Sequence, residues 1–234
     1  MKKRVLTIAG VLVLAAGVAL LLYPYFQSGL YQIKSKKVIE QFKEGVKKEK
    51  SLNGKKDYLP ELLEVMKAYN KRIYKEKQTG LKDPFSYEQP GISLVDYGIV
   101  NNMIGFIEVS ALDVTLPIYL GATKGNMALG AVHLSETSFP IGGKNTNTVI
   151  AAHRGNGGVP MFRYIEKLKK GDEVKITNFW ETLSYEVNEI KIIKPTEIKD
   201  VFIQEGKDLI TLLSCHPYPE NYERYVVYCH RVKK

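Results

Sequence analysis

The chain has 234 residues, a formal charge of +9, 44% hydrophobic residues and two cysteines. Set apart from an apolar N-terminal segment, that length fits one domain of about 150 residues plus an appendage, ample for a real core. Two cysteines without metal-ligand spacing argue against a disulfide scaffold and against zinc, and the lack of any recognition motif argues against nucleic acid, so the charge reads as a solvated basic surface or, secondarily, an attraction to anionic polymers or lipids.

Met1-Lys2-Lys3-Arg4 precedes a mostly apolar run from Val5 to Tyr23. The run is close to the ~20 residues of a membrane span and longer than the ~7–15 of a cleaved signal. An uncleaved anchor is therefore expected, with Tyr23, Tyr25 and Phe26 in the aromatic belt. The basic N-terminus favours a cytoplasmic start, although Lys34, Lys36 and Lys37 follow on the other side. Residues 1–26 form the cytoplasmic tip and anchor. Residues 27–102 read as a helical stalk and a further segment, and residues 103–234 as the main domain.

Within the stalk, Ile33, Val38, Ile39, Phe42 and Val46 recur at helical spacing until Asn53-Gly54. A second helical face carries Leu62, Leu63, Met66, Tyr69 and Ile73, ended by Gly80 and Pro84. Residues 81–102 read as an extended loop around Asp83-Pro84-Phe85.

From Met103 the pattern changes to short strands. They are expected at Ile104–Val109, Leu116–Leu120, Asn147–His153, Glu173–Thr177, Leu183–Ile193, Asp208–Cys215 and Arg224–Val232, with one helix over Met161–Lys170. Many short strands with one or two helices imply a mainly β fold, a closed or nearly closed barrel.

The chemistry gathers at strand ends. An apolar run, Ile210-Thr211-Leu212-Leu213-Ser214, delivers Cys215; another delivers His153; Arg224 opens the next strand. These are the parts of a thiol acyl-transfer site: nucleophile, proton carrier and oxyanion donor. On pattern alone Cys215 reads equally as a buried small hydrophobe. His133, His216 and His230 compete with His153, and Arg154 and Arg231 with Arg224. Strand alternation turns His216 away from Cys215 and Arg154 away from His153. If Cys215 faces Arg224 across an antiparallel pair, Cys229 lies near Ile210, ~16 Å from the first cysteine and beyond disulfide reach.

Thr211-Leu212-Leu213-Ser214-Cys215 resembles the Thr-Leu-X-Thr-Cys signature of the sortases, membrane-anchored cysteine transpeptidases of Gram-positive surfaces. Class C, the pilin polymerases, looks closest. Gly130-Ala131-Val132-His133-Leu134-Ser135-Glu136-Thr137-Ser138-Phe139-Pro140-Ile141-Gly142-Gly143 is similar to their Gly-His-Leu-…-Thr-Ser-Leu-Pro-Val-Gly-Gly stretch. Ala152-His153-Arg154-Gly155 resembles Gly-His-Arg-Gly, and Cys215-His216-Pro217-Tyr218 resembles Cys-Thr-Pro-Tyr. Pro219-Glu220-Asn221-Tyr222-Glu223 departs from the usual Gly-X-Asn-Thr-His. The resemblance spans roughly residues 58 to 233.

It implies an eight-stranded sortase barrel and Cys215, His153 and Arg224 as catalytic residues, with His133 outside that set. Asp83, Pro84 and Phe85 match the class C lid, whose carboxylate meets the arginine and whose aromatic covers the cysteine. It also implies cleavage of an LPXTG-like sorting signal between Thr and Gly, transfer to a pilin lysine, no cofactor and no metal. The enzyme would sit in the cell membrane by a single pass, its catalytic domain extracytoplasmic, with sorting-signal proteins and pilin subunits as partners. Two alternatives stand: a class A-like housekeeping sortase using a cell-wall precursor amine, and a non-catalytic anchored barrel. Ending at Lys233-Lys234, without the second apolar segment common in class C, leans toward the first.

Overall fold

The protein is described by a computed structural model covering residues 2–53, 58–83, 92–155 and 159–232, with only the backbone for residues 2, 52 and 53. Among these residues lie three α-helices: α1 (Lys2–Asn53), α2 (Pro60–Lys75) and α3 (Lys124–Leu129). Eight strands follow the chain: β1 (Met103–Val109), β2 (Val114–Leu120), β3 (Ala131–His133), β4 (Thr146–Ala151), β5 (Glu173–Thr177), β6 (Thr182–Ile193), β7 (Asp208–His216) and β8 (Glu223–Arg231). They close into a barrel in the order β1-β2-β3-β4-β7-β8-β6-β5, with β2–β3 and β4–β7 parallel and the rest antiparallel.

Alternation sorts the side chains into two layers. Ile107, Leu116, Ile150, Ile176, Tyr185, Leu212 and Val227 fill the interior. Val149, Ala151, Leu213, Val226 and Tyr228 point outward beneath covering segments. Closure leaves no open sheet edge.

The seven expected strands lie within two residues of seven observed ones, and β3 is the addition. Met161–Lys170 is not an α-helix: turns lead into a short 3-10 helix over Ile165–Lys167. Met161 has a left-handed φ of 42°, which helical backbone excludes. The Phe162 amide donates instead to the His153 carbonyl at 3.1 Å.

The segments expected as anchor and stalk are one continuous helix, which passes through Pro24. Its residues from Val5 to Phe26 include a stretch long and apolar enough to cross a membrane. Beyond them α1 lies along the barrel. Ile39 is buried there. Phe42 packs edge-on to Phe106 with centroids 6.2 Å apart, and Tyr31 donates its hydroxyl to the Leu129 carbonyl at 3.0 Å. Ile33, expected on this seam, is 68% exposed; Tyr31 and Ser35 take the positions facing the barrel.

Pro60 opens α2, where its missing N–H costs nothing. The helix buries Leu62, Met66, Tyr69 and Ile73 and ends at Lys75, before the expected Gly80. Lys77 and Gln78 take left-handed φ values of 53° and 50°, which turn the chain away. Asn70 pins α2 to the barrel: its side chain accepts from the Phe139 amide at 2.7 Å and donates to the Phe139 carbonyl at 3.3 Å.

Candidate active site

Two strand pairings bring the three expected residues to one end of the barrel. β7 and β8 are antiparallel, with Cys215 opposite Arg224. The same register sets Cys229 opposite Ile210, and both cysteines are free thiols. Cys229 packs in the interior, whereas Cys215 follows the outward parity of Leu213.

β4 and β7 are parallel, with Ala151 beside Leu213. The pairing continues past β4: the Ala152 amide donates to the Leu213 carbonyl at 3.2 Å, and Ser214 Oγ donates to the Ala152 carbonyl at 2.9 Å. Carried one residue further, this register sets His153 beside Cys215, on strands about 5 Å apart. The serine that replaces the signature's second threonine thus ties the two strands where histidine and cysteine emerge.

Arg224 is 8% exposed and fully engaged. Its Nε and Nη2 donate to Asp83 Oδ1 and Oδ2 at 2.7 and 3.0 Å, a two-pronged ion pair. Its Nη1 donates to the carbonyls of Asn221 and Glu223 at 3.0 and 2.8 Å. Asp83 reaches it from before the barrel; Pro84 and Phe85 lie outside the described residues.

Burial pushes the Cys215 thiol up; the Arg224 and Arg154 charges pull it down, and the Asp83 carboxylate adds to the rise. Burial lowers His153. It would also lower Arg224, but the bond to Asp83 and its charge more than reverse this. The shifts of Cys215 and His153 favour a neutral thiol and a neutral imidazole in this arrangement.

The competing residues lie elsewhere. His133 is buried against the Phe139 ring, its Nε2 3.0 Å from the Ser138 carbonyl, and burial lowers it to about 4. His230 and Arg231 sit at the far end of β8, opposite Leu209 and Tyr185 respectively. His216 and Arg154 meet on the face turned away from Cys215.

That second cluster was not foreseen as a unit. Arg154 is 6% exposed. Its Nη1 donates to His216 Nδ1 at 2.7 Å and to the Cys215 carbonyl at 3.2 Å, while Nη2 binds Glu166. It therefore grips the main chain of Cys215 from behind. Alternation could have paired Arg154 with His216. Nothing marked Glu166, which lies in the segment expected to be helical. Among the described residues no group of His, Cys, Asp and Glu is arranged to hold a metal.

A family model described as the sortase domain matches residues 107–232. Sortase C1 of GBS pilus island 1 superposes with a TM-score of 0.72 at 33% identity, covering 84% of this chain and 97% of that one. Sortase C of Streptococcus pneumoniae gives 0.70 at 31%, covering 85% and 97%. Sortase A of Listeria monocytogenes is 31% identical over 171 residues, 71% of this chain and 74% of that protein.

Proposed function

The chain belongs to the sortase family of cysteine transpeptidases, and we propose that it is a class C-like member that joins pilin subunits through Cys215, His153 and Arg224. Cys215 Sγ attacks the Thr carbonyl of an LPXTG-like sorting signal, its proton passing to His153. Arg224 stabilises the tetrahedral oxyanion. The Thr–Gly C–N bond breaks as His153 returns the proton to the leaving amine, and a thioester remains. A pilin lysine amine then attacks the thioester and gives up a proton to His153. The C–S bond breaks, an isopeptide forms, and the thiol is restored.

The cross-strand pair of Cys215 and Arg224, with His153 delivered by the parallel neighbour, carries this reading. Arg154, which holds the Cys215 carbonyl, fixes the nucleophile from behind.

Asp83 favours class C over class A. A carboxylate from before the barrel occupies the fork that an oxyanion would use. We read residues 83–85 as a lid that must leave before substrate binds. Of the related structures, one is the sortase C1 of a pilus island and another bears on pilin substrate specificity. The apolar run of α1 serves as a single-pass membrane anchor, with the catalytic domain extracytoplasmic.

The test is labelling with the thiol reagent MTSET, competed by an LPXTG-type peptide. Cys215 should be the modified thiol, protected by peptide, and faster to react when Asp83 and Phe85 are both replaced by Ala. Equal rates in wild type and double mutant would remove the lid and turn the assignment toward class A. A chain that binds peptide without cleaving it would be a binding barrel.

A further inference from the structure

α1 crosses from one end of the barrel to the other. Lys50 donates to the Trp180 carbonyl in the β5–β6 hairpin, at the end where β8 finishes. Tyr31 bonds Leu129, just before β3, at the opposite end. Cys215, Arg224 and the exit of β4 toward His153 share that opposite end. The apolar run enters from the same side, so the end holding the site is the one nearest the bilayer.

The height follows from helix geometry. The run from Val5 to Tyr23 is about 28 Å long, close to the ~30 Å hydrocarbon core. Tyr31 lies about 12 Å beyond Tyr23 along the axis. Helical side chains lean toward the N-terminus, which brings the Leu129 contact back toward the lipid. A headgroup layer is ~5–8 Å thick on each side. A helix tilt of about 20° changes the height of this flanking contact by only ~3 Å. Leu129, 54% exposed, thus lies at the headgroup boundary.

A second observation points the same way. Outside α1, the exposed tyrosines among the described residues are Tyr164, Tyr218 and Tyr222, at 47%, 46% and 64%. All three flank the site: one follows His153, and two lie in the turn between β7 and β8. Two carry a cation on the ring. Arg163 sits 3.3 Å from the Tyr218 centroid and Lys167 sits 4.4 Å from that of Tyr164. Tyrosine with an adjacent base is the composition that anionic headgroups favour.

We propose that the site-bearing end of the barrel rests on the bilayer that α1 enters, with Leu129, Tyr164, Tyr218 and Tyr222 in the headgroup layer and Arg163 and Lys167 toward lipid phosphates. The proposal rests on the anchor reading above. It makes the membrane plane the route by which sorting signals and amines reach Cys215.

The test uses full-length Cys215→Ala protein, with Cys229 buried, in vesicles of phosphatidylglycerol and phosphatidylcholine. An environment-sensitive fluorophore is attached at one of four single cysteines: Val13→Cys, Leu129→Cys, Tyr222→Cys or Lys144→Cys. Lys144, beside the start of β4, marks the far end. Lipids spin-labelled at the headgroup or along the chain act as quenchers. The anchor position should lose emission to chain labels, and positions 129 and 222 to headgroup labels. Position 144 should keep its emission. Quenching at 13 without quenching at both 129 and 222 overturns the docking while leaving the anchor intact. Equal quenching at 144 overturns it too, since the barrel would then lie on its side. No quenching at 13 ends the anchor reading and the docking together. If position 222 answers only to added sorting peptide, the tyrosines line a substrate groove and the docking is overturned.

Discussion

At the residue scale, the site is a balance among one thiol, one imidazole and two guanidinium groups, with a carboxylate tipping it. Cys215→Ala should abolish cleavage and transfer without unfolding the chain, while Cys229→Ala should keep both, as a peptide-cleavage assay with a melting curve will report. Arg224→Lys retains charge but loses the fork, and kcat should fall ~100–1000-fold, the usual cost of one oxyanion donor; near-wild-type turnover would move the donor role to another residue. Asp83 raises the Cys215 pKa and occupies the arginine that lowers it. Asp83→Asn removes that charge, so the thiol pKa should fall and more thiolate should exist at a given pH. The alkylation rate plotted against pH should therefore shift to lower pH. A faster rate with an unmoved midpoint would mean that Asp83 only blocks access.

At the element scale, α2 depends on one buried amide. Asn70→Ala leaves the Phe139 N–H without its partner, at about 1–3 kcal/mol for a buried unsatisfied group, while the Phe139 carbonyl keeps the Ile141 amide at 2.8 Å. Urea unfolding should show that loss, with peptide cleavage by the folded fraction little changed; unchanged stability would mean that water replaces the amide. The strands were legible because alternation and turn residues act locally, whereas the cysteine–arginine register entered only as a premise and is set between strands. β3 was not legible, since three residues cannot display a period, and its pairing is set by β2 and β4 on either side. The segment after Pro160 misled for a related reason. Met161, Ile165 and Leu168 do fall on one buried face, as helical spacing demands. But Phe162 and Arg163 are bonded to the backbone of His153 and the side chain of Arg154, which holds the chain in tight turns. Contacts between distant segments also explain why Ile33 fell off the α1 seam and why Glu166 gave no signal.

At the scale of the whole molecule, a closed barrel shares the stability of its buried polar groups. His133 is one of them: its Nε2 reaches a carbonyl, while its buried Nδ1 has no partner. A proton added there would be stranded. Its folded value of about 4 lies below the ordinary 6.5. The unfolded chain thus binds the proton more readily, so its contribution is fully present above pH 6.5 and is lost as pH falls toward 4. The loss amounts to roughly 3 kcal/mol, from about 1.36 kcal/mol per pKa unit. Denaturant midpoints of wild type and His133→Gln between pH 7 and pH 4 should converge; parallel curves would place the acid sensitivity elsewhere. The strand order has a different consequence, in time. β8 is last in the sequence yet sits between β7 and β6, where it closes the ring. Arg224 comes with it. A nascent chain that has emerged as far as Cys215 owns a thiol but neither its charge partner nor a finished wall behind it. On the proposed mechanism, acyl transfer therefore waits until β8 has been added, and a chain truncated before Glu223 holds the thiol without its arginine.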